Sequence, residues 1–490
     1  MSESGSKPIR TDAYLASLPP ELVLPGARAE IRAAVERGGS KVIVLDDDPT
    51  GVQSVHGVPV LTSWGKDDLL DALREPGPVF YILTNSRSFP EDEAIKMNVE
   101  ISENLCEAAR EAGVDFEVVS RSDSTLRGHY PAETDALASV LSANERGPDA
   151  VIICPAFFEA GRFTSGDTHF VVEGEELVPS GETEFARDHS FGYRSSDLKY
   201  WVEEKTTGRV PASDVVSIGL EDIRAGGPER VRKVLDGASG GVPVVLNAVT
   251  YADLDVFVLG LLDSISGGKR FLYRTGPSFV QARGGITKPE LVRVEDLSRD
   301  GYGLVLVGSY VRMTTRQLEE ALKLDGLHAV EVSVKDLISP TPDRREAELE
   351  RVVREVNSSL STGDIIVYTS RELVTAEGSG GPTNFEIGGS ISDALVEMMR
   401  RIDRDIPVSF VVAKGGITSS DIATKGLGVR RAEVAGPLLP PGIVPVWVLP
   451  DDNDFPGLPY VIFPGNVGGP GSLREAIEIL RGTDDTGGLL

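Results

Sequence analysis

The run KVIVLDDDPTG (41–51) is apolar through its first half and acidic at its end. An apolar run without alternation reads as a strand buried on both faces, the kind found in parallel sheets covered by helices. The pattern recurs in VFYILTN (79–85), FEVVSR (116–121), AVIICPA (150–156), DVVSIGL (214–220), VPVVLNA (242–248) and RFLYRT (270–275). Helical segments lie between many of these runs, at 91–112, 131–143, 226–236 and 251–265. The stretch 160–212 breaks the rhythm with Gly, Ser and Thr turns and reads as hairpins or a loop excursion.

A polar, turn-rich segment at 285–303 marks a boundary, after which a second series begins: GLVLVGS (303–309), AVEVSV (329–334), DIIVYTS (364–370), VSFVVAKGG (408–416), VPVWVLP (444–450) and YVIFPGN (460–466). The expectation is an α/β protein of two domains, each a mostly parallel sheet with helices on both faces, with the active site in the interdomain cleft. The division is 1–40 as an N-terminal tail with one helix (25–36), 41–300 as the first domain and 301–490 as the second.

Composition narrows the function. The 490 residues are 40% apolar, enough for real cores, and no apolar run is long enough for a transmembrane helix. With 76 acidic against 49 basic residues the net charge is −27, which argues against nucleic-acid binding. Cys106 and Cys154 are the only cysteines, so neither a disulfide framework nor a cysteine-built zinc module is expected. The N-terminus carries no apolar stretch, and the expected location is cytoplasmic.

Ligands of open parallel sheets bind beyond the carboxyl ends of the strands. The first strand ends in Asp46-Asp47-Asp48-Pro49-Thr50-Gly51, the next in Thr84-Asn85-Ser86-Arg87-Ser88 and the third in Ser120-Arg121-Ser122-Asp123-Ser124-Thr125-Leu126-Arg127-Gly128. Carboxylates, hydroxyls and arginines at three successive ends describe a pocket for a small, oxygen-rich anion, since the guanidinium fork matches a carboxylate. Taken singly, the acidic run also reads as a solvated turn with an Asp cap, and the third as a helix start.

The second domain has a different signature. VAKGGITSS (412–420) runs from a strand through Gly415 and Gly416 into Thr418, Ser419 and a helix. Gly308-Ser309 ends that domain's first strand, and Gly465-Asn466-Val467-Gly468 its last. Glycines let the backbone approach a phosphate, and together these ends read as a nucleotide cradle without a Walker-type P-loop. Gly237-Ala238-Ser239-Gly240-Gly241 matches a nucleophile elbow only in letters, because it follows a helix and precedes a strand. Gly426-Leu427-Gly428 follows no strand, so a dinucleotide fingerprint fails. The five histidines lack zinc-site spacing, and no metal site is expected.

Asp47-Asp48-Pro49-Thr50-Gly51, Thr84-Asn85-Ser86-Arg87, Arg121 to Gly128 and Gly415-Gly416-Ile417-Thr418-Ser419 resemble the four-carbon acid sugar kinase family. Phe185 to Asp188, Phe191-Gly192-Tyr193, Arg274-Thr275-Gly276 and Gly465-Asn466 resemble further blocks of it, and the resemblance runs from about Lys41 to the end. It implies an N-terminal acid-sugar-binding domain, a C-terminal nucleotide-binding domain, and ATP-dependent phosphorylation of the terminal hydroxyl of erythronate, threonate or a 3-oxo-tetronate. Asp47, Asp48, Thr50, Arg87, Asp123 and Arg127 would line the acid-sugar site, with Asn85, Arg121, Ser124 and Gly128 at the same strand ends. Ser309, Gly415, Gly416, Thr418, Ser419 and Asn466 would face the nucleotide, joined by Gly465 and Gly468. The commoner opening of the family is of an Asp-Asp-Leu-Thr-Gly-Ala type. The Pro49 and Val52 to His56 found here therefore bear on which acid sugar is taken.

Within that reading the proton acceptor is Asp123 or Asp47, Asp123 being preferred because Arg121 and Arg127 flank it. Arg87 and Arg127 would grip the substrate carboxylate or the phosphoryl group, and Mg²⁺ would arrive with ATP. The expected partners are an acid sugar and ATP, with no nucleic acid or membrane, and with a homo-oligomer left open. A non-catalytic acid-sugar sensor and a dehydrogenase or aldolase of sugar acids stand as alternatives. Against the last two are the missing dinucleotide fingerprint and the lack of an evident Schiff-base lysine.

Overall fold

The computed structural model describes residues 9–48, 51–288, 290–297, 299–309, 311–339, 341–371, 384–440, 442, 444–465 and 467–482. The chain divides into two compact units, Met1–Lys288 and Pro289–Leu490.

The first unit holds strands β1 (Ile9–Arg10), β2 (Lys41–Asp46), β3 (Val58–Leu61), β4 (Val79–Leu83), β5 (Phe116–Arg121), β6 (Ala150–Cys154), β7 (Arg162–Ser165), β8 (Thr168–Glu173), β9 (Glu176–Pro179), β10 (Val216–Ile218), β11 (Val242–Leu246) and β12 (Phe271–Thr275). Eight of them form a sheet in the order β10-β11-β6-β12-β5-β2-β4-β3, every pair parallel. All of β2 is buried, as its unbroken apolar run requires. Ile43, Leu45 and Ile82 pack on one face against Ile101 and Leu105 of helix Glu91–Ala112. That helix carries Glu91, Asp92 and Glu93 in its first turn and ends on Gly113 at φ 67°, a left-handed stop that glycine adopts without strain. Asp253 Oδ2 accepts from the backbone N–H of Thr250 at 3.1 Å at the start of helix Tyr251–Ser266.

The excursion at 160–212 contains antiparallel hairpins, as its turn residues suggest. β7, β8 and β9 form a small sheet with β1 at its edge. Gly166 and Asp167, both at positive φ, make the two-residue turn between β7 and β8. Of the segment read as a tail, residues 9–40 are built into this unit. Ile9 pairs with Leu177, Tyr14 packs 5.3 Å from Phe170, and helix Ala27–Gly38 buries Ile31 and Val35.

The second unit holds β13 (Tyr302–Val307), β14 (Leu327–Val332), β15 (Asp364–Thr369), β16 (Val408–Lys414), β17 (Arg431–Pro437), β18 (Pro445–Val448) and β19 (Pro459–Phe463). Their order is β17-β18-β19-β16-β13-β15-β14. The five strands from β19 to β14 are parallel, while β17 and β18 run antiparallel at the other side. Val305, Ile366, Val412 and Val461 form the core with Leu318 and Leu473 of the covering helices. Among the described residues, no helix is long and apolar enough to cross a membrane.

Candidate functional site

In the first unit the strand order reverses at β2, whose neighbours are β4 on one side and β5 on the other. Such a switch point opens a crevice at the strand ends. Asp46 stands in register with Arg121 across β2 and β5, and Arg121 with Thr275 across β5 and β12. The ends of β2, β4, β5 and β12 therefore meet.

Arg121 Nη1 lies 3.0 Å from Asp46 Oδ1 and 3.6 Å from Asp47 Oδ1, with all three side chains buried. Among the described residues, Asp46 Oδ2 and both carboxylate oxygens of Asp47 have no hydrogen-bond partner. Burial pushes Asp46 and Asp47 up to about 6, against the pull of Arg121 and Arg87. A Cβ on Gly51 would fall 1.7 Å from Asp46 Oδ2, so Gly51 lies against Asp46 only because it has no side chain.

Arg87 pairs with Asp48 and reaches Asp123 Oδ2 at 3.6 Å, while Arg127 Nε lies 2.6 Å from the same oxygen. Thr125 donates to that oxygen as well, and Arg127 Nη1 lies 3.6 Å from Asp188. Burial alone would raise Asp123, but Arg87, Arg127 and Arg162 outweigh it and hold the carboxyl well below the usual range. Leu126, buried in a small cluster with Tyr193 and Trp201, takes a left-handed φ of 68°, which turns Arg127 back toward Asp123. Asn85 is also left-handed and accepts from Ser88 Oγ at 3.3 Å, so its side chain serves its own turn. A Cβ on Gly128 would lie 3.3 Å from Asp47 Oδ2. Thr50 lies outside the described residues.

The hairpin sheet is tied to this cluster. Arg162 Nη1 donates to Ser124 Oγ at 2.7 Å, His169 Nε2 to the Ser124 carbonyl at 2.7 Å, and Tyr193 Oη to the Thr125 carbonyl at 2.8 Å. Arg162 and Arg127 both lie over the ring of Phe185. Arg274, buried at the end of β12 against Trp201, donates Nη2 to the Arg127 carbonyl at 3.1 Å. Asp46, Arg162, Asp188 and Arg274 thus join the cluster without having been chosen from the sequence as site residues. The strand-end rule that selects Arg121 would also have selected Arg274. No sequence rule points to Arg162, which comes from the hairpin.

In the second unit the order reverses between β13 and β16, and the glycine signatures meet there. Gly308-Ser309 follows β13, Gly415-Gly416 follows β16 and Gly465 follows β19, the ends of three adjacent strands. A Cβ on Gly465 would lie 3.2 Å from Ser309 Oγ, and one on Gly308 2.9 Å from the Thr418 side chain. Gly415 holds φ 128°, while a Cβ on Gly416 would meet nothing within 4 Å. This close glycine backbone with an open face at Gly416 fits the phosphate chain of a nucleotide.

Ser419 is turned away from that face. Its hydroxyl donates to the Gly416 carbonyl at 2.8 Å, and its own carbonyl accepts from Tyr460 at 2.5 Å. Gly468, at φ 83°, sits in the turn before helix Ser472–Leu480, beside the Val467 and Gly469 carbonyls that Gln317 holds at 2.9 Å each. Asn466 lies outside the described residues. Lys414, fully buried beside the ring of Phe463, donates to the Pro464 carbonyl at 2.9 Å, and burial lowers its ammonium to about 7.

Comparison with known proteins agrees with this division. Residues 42–283 match a sugar-binding N-terminal domain, and residues 304–473 match a nucleotide-binding C-terminal domain. Among solved structures, the Haemophilus influenzae protein HI1011 of the DUF1537 family is 19% identical with a TM-score of 0.63, covering 89% of this chain and 100% of its own. A putative tRNA synthase from Salmonella typhimurium LT2 is 20% identical with a TM-score of 0.65, over 89% of this chain and 98% of its own. At such identities the likeness is one of fold. No curated protein matches the chain. With both domain types in sequence along most of its length, the chain belongs to the four-carbon acid sugar kinase family.

Proposed function

We propose that the protein is an ATP-dependent kinase that phosphorylates the terminal hydroxyl of a four-carbon acid sugar of the erythronate, threonate or 3-oxo-tetronate type. One observation carries this reading: both units present their polar chemistry at the carboxyl ends of strands around a switch point. In the first unit these are carboxylates and arginines, in the second a glycine cradle. A sensor of acid sugars would have no use for the cradle.

Phosphoryl transfer asks a protein mainly for positioning, charge neutralisation and an acceptor for the hydroxyl proton. ATP supplies the phosphoryl group, with Mg²⁺ held by its phosphates and water. The hydroxyl oxygen bonds to the γ-phosphorus as the bond to the β-phosphate oxygen breaks, and the hydroxyl proton passes to a carboxylate. Asp47 suits that task better than Asp123, which reverses the preference drawn from the flanking arginines. Asp47 has no hydrogen bond to either oxygen among the described residues and has a raised proton affinity. Asp123 is engaged by Thr125, Arg127 and Arg87, which leaves it a weak base and an anchor for the two arginines. Gly415, Gly416 and Thr418 would hold the phosphates, beside Ser309. A cytoplasmic location goes with the reading, because ATP is supplied there.

The test is ADP release from MgATP by the purified protein, against a panel of erythronate, threonate and 3-oxo-tetronate stereoisomers. Turnover that depends on one acid is the expected result. Absence of both turnover and ATP binding would overturn the reading.

A further inference from the structure

The arginines of the first unit are not equivalent. Arg87 is paired with Asp48 and Asp123, Arg121 with Asp46 and Asp47, and Arg127 with Asp123 and Asp188. Their charges are neutralised within the protein. Arg162 and Arg274 have no carboxylate at ion-pair distance among the described residues; each spends one nitrogen on a neutral oxygen, Ser124 Oγ and the Arg127 carbonyl respectively. Arg162 Nε and Arg274 Nε and Nη1 are buried without a hydrogen-bond partner among the described residues. The two guanidinium groups bracket one turn, Ser124 to Arg127, at the end of β5.

A buried guanidinium whose N–H groups lack direct partners is costly, and burial pushes both groups toward their neutral forms against the more distant pull of Asp123 on Arg162 and of Asp47 and Asp123 on Arg274. Such an arrangement is stabilised when a ligand brings an anionic acceptor for those N–H groups. Resting on the acid-sugar reading of this site, we infer that the substrate carboxylate is held by Arg162, with Arg274 as the second cation of the same subsite. Arg87 and Arg127, assigned to that grip from the sequence, instead shape the Asp123 side of the cluster. Arg162 is the specificity-determining residue of the pair, because it lies on the hairpin sheet and is the more exposed of the two. It selects an acid over the corresponding neutral polyol.

The experiment is calorimetric binding of erythronate and threonate, with erythritol and threitol as their neutral counterparts, to the full-length wild type, Arg162→Gln and Arg162→Lys. Thermal unfolding of each variant checks the fold. Loss of a charged hydrogen bond corresponds to about 10- to 100-fold in affinity. Arg162→Gln should lose that factor for the acid that the wild type binds and nothing for the polyol, with Arg162→Lys recovering part of it. A folded Arg162→Gln that keeps wild-type affinity for the acid overturns the assignment, as does an equal loss for acid and polyol. A wild type that binds none of the acids overturns the acid-sugar reading and the assignment with it. If Arg162→Gln does not fold, the same comparison on Arg274→Gln and Arg162→Lys decides the point by the same outcomes.

Discussion

Arg121 Nη1 stands 3.0 Å from Asp46 Oδ1 across paired strands, and neither side chain has appreciable contact with solvent. The strand ends of the first unit are organised around this ion pair. It tethers the acidic turn of β2 to the arginine-rich turn of β5, so its effects on stability and on the site are coupled.

Removing one partner of a buried pair leaves the other charged and unsatisfied. Arg121→Met should therefore destabilise the first unit by about 3–5 kcal/mol, read as a lower midpoint in urea unfolding. The double variant Arg121→Met/Asp46→Leu should recover much of that loss. No recovery would mean that Arg121 acts chiefly through Asp47 or through packing.

Activity should depend on pH through Asp47. Its carboxyl, raised to about 6 by burial, must be ionised to accept a proton, so kcat/KM should fall as pH drops below about 6. Asp47→Asn should lower kcat by roughly 10²–10⁴-fold with the fold intact. Asp123→Asn should also lower activity, by releasing Arg87 and Arg127, but should leave the acidic limb of the profile where it was. A limb that vanishes in Asp123→Asn and persists in Asp47→Asn would exchange the two roles.

His169 predicts a stability effect of opposite sign to that of the two acids. Its imidazole is buried and lowered to about 4, so the unfolded chain binds the proton more readily between about pH 4 and 6.5. Its contribution is fully present above 6.5 and is lost as pH falls toward 4, amounting to about 3 kcal/mol over that window. Asp46 and Asp47, raised in the fold, act the other way: their contribution is present below about 4 and is lost as pH rises through 6. The difference in unfolding free energy between wild type and His169→Gln, followed from pH 7.5 down to about 4, isolates the histidine. A difference that does not change with pH would remove it from this account.

Gly416→Val tests the cradle. Nothing stands within 4 Å of a Cβ at this position, so the added side chain is tolerated by the fold but occupies the space assigned to phosphate. ATP binding measured by calorimetry should weaken at least tenfold, on the order of 1.4 kcal/mol, while acid-sugar binding and thermal stability stay unchanged. Weakened acid-sugar binding with normal ATP affinity would reverse the roles of the two units.

Much of the architecture could be read from period and punctuation. Runs such as 41–46 and 150–154 are apolar at every step, which a strand buried on both faces demands, and they are strands of parallel sheets. The short β3 and the antiparallel β17 escaped because a few half-apolar residues next to turns carry little periodic signal. The structure places Arg121 at the end of β5, Asp47 directly after β2, and Asp123 and Arg127 in the turn that follows β5, positions that the strand boundaries in the sequence already mark.

By itself, then, the sequence determined where along the chain the polar strand ends lie, because their positions follow from local hydrophobic pattern. It could not determine how the charges are paired, because pairing depends on distances between side chains far apart in the chain. Arg162 reaches Ser124 across 38 residues, and Arg274 reaches the Arg127 carbonyl across 147. Only the folding of the hairpin sheet and of β12 onto the end of β5 separates the arginines paired with carboxylates from Arg162 and Arg274, which have none at ion-pair distance among the described residues. Electrostatic interaction energy falls with distance and rises with burial, and both quantities exist only in the folded chain.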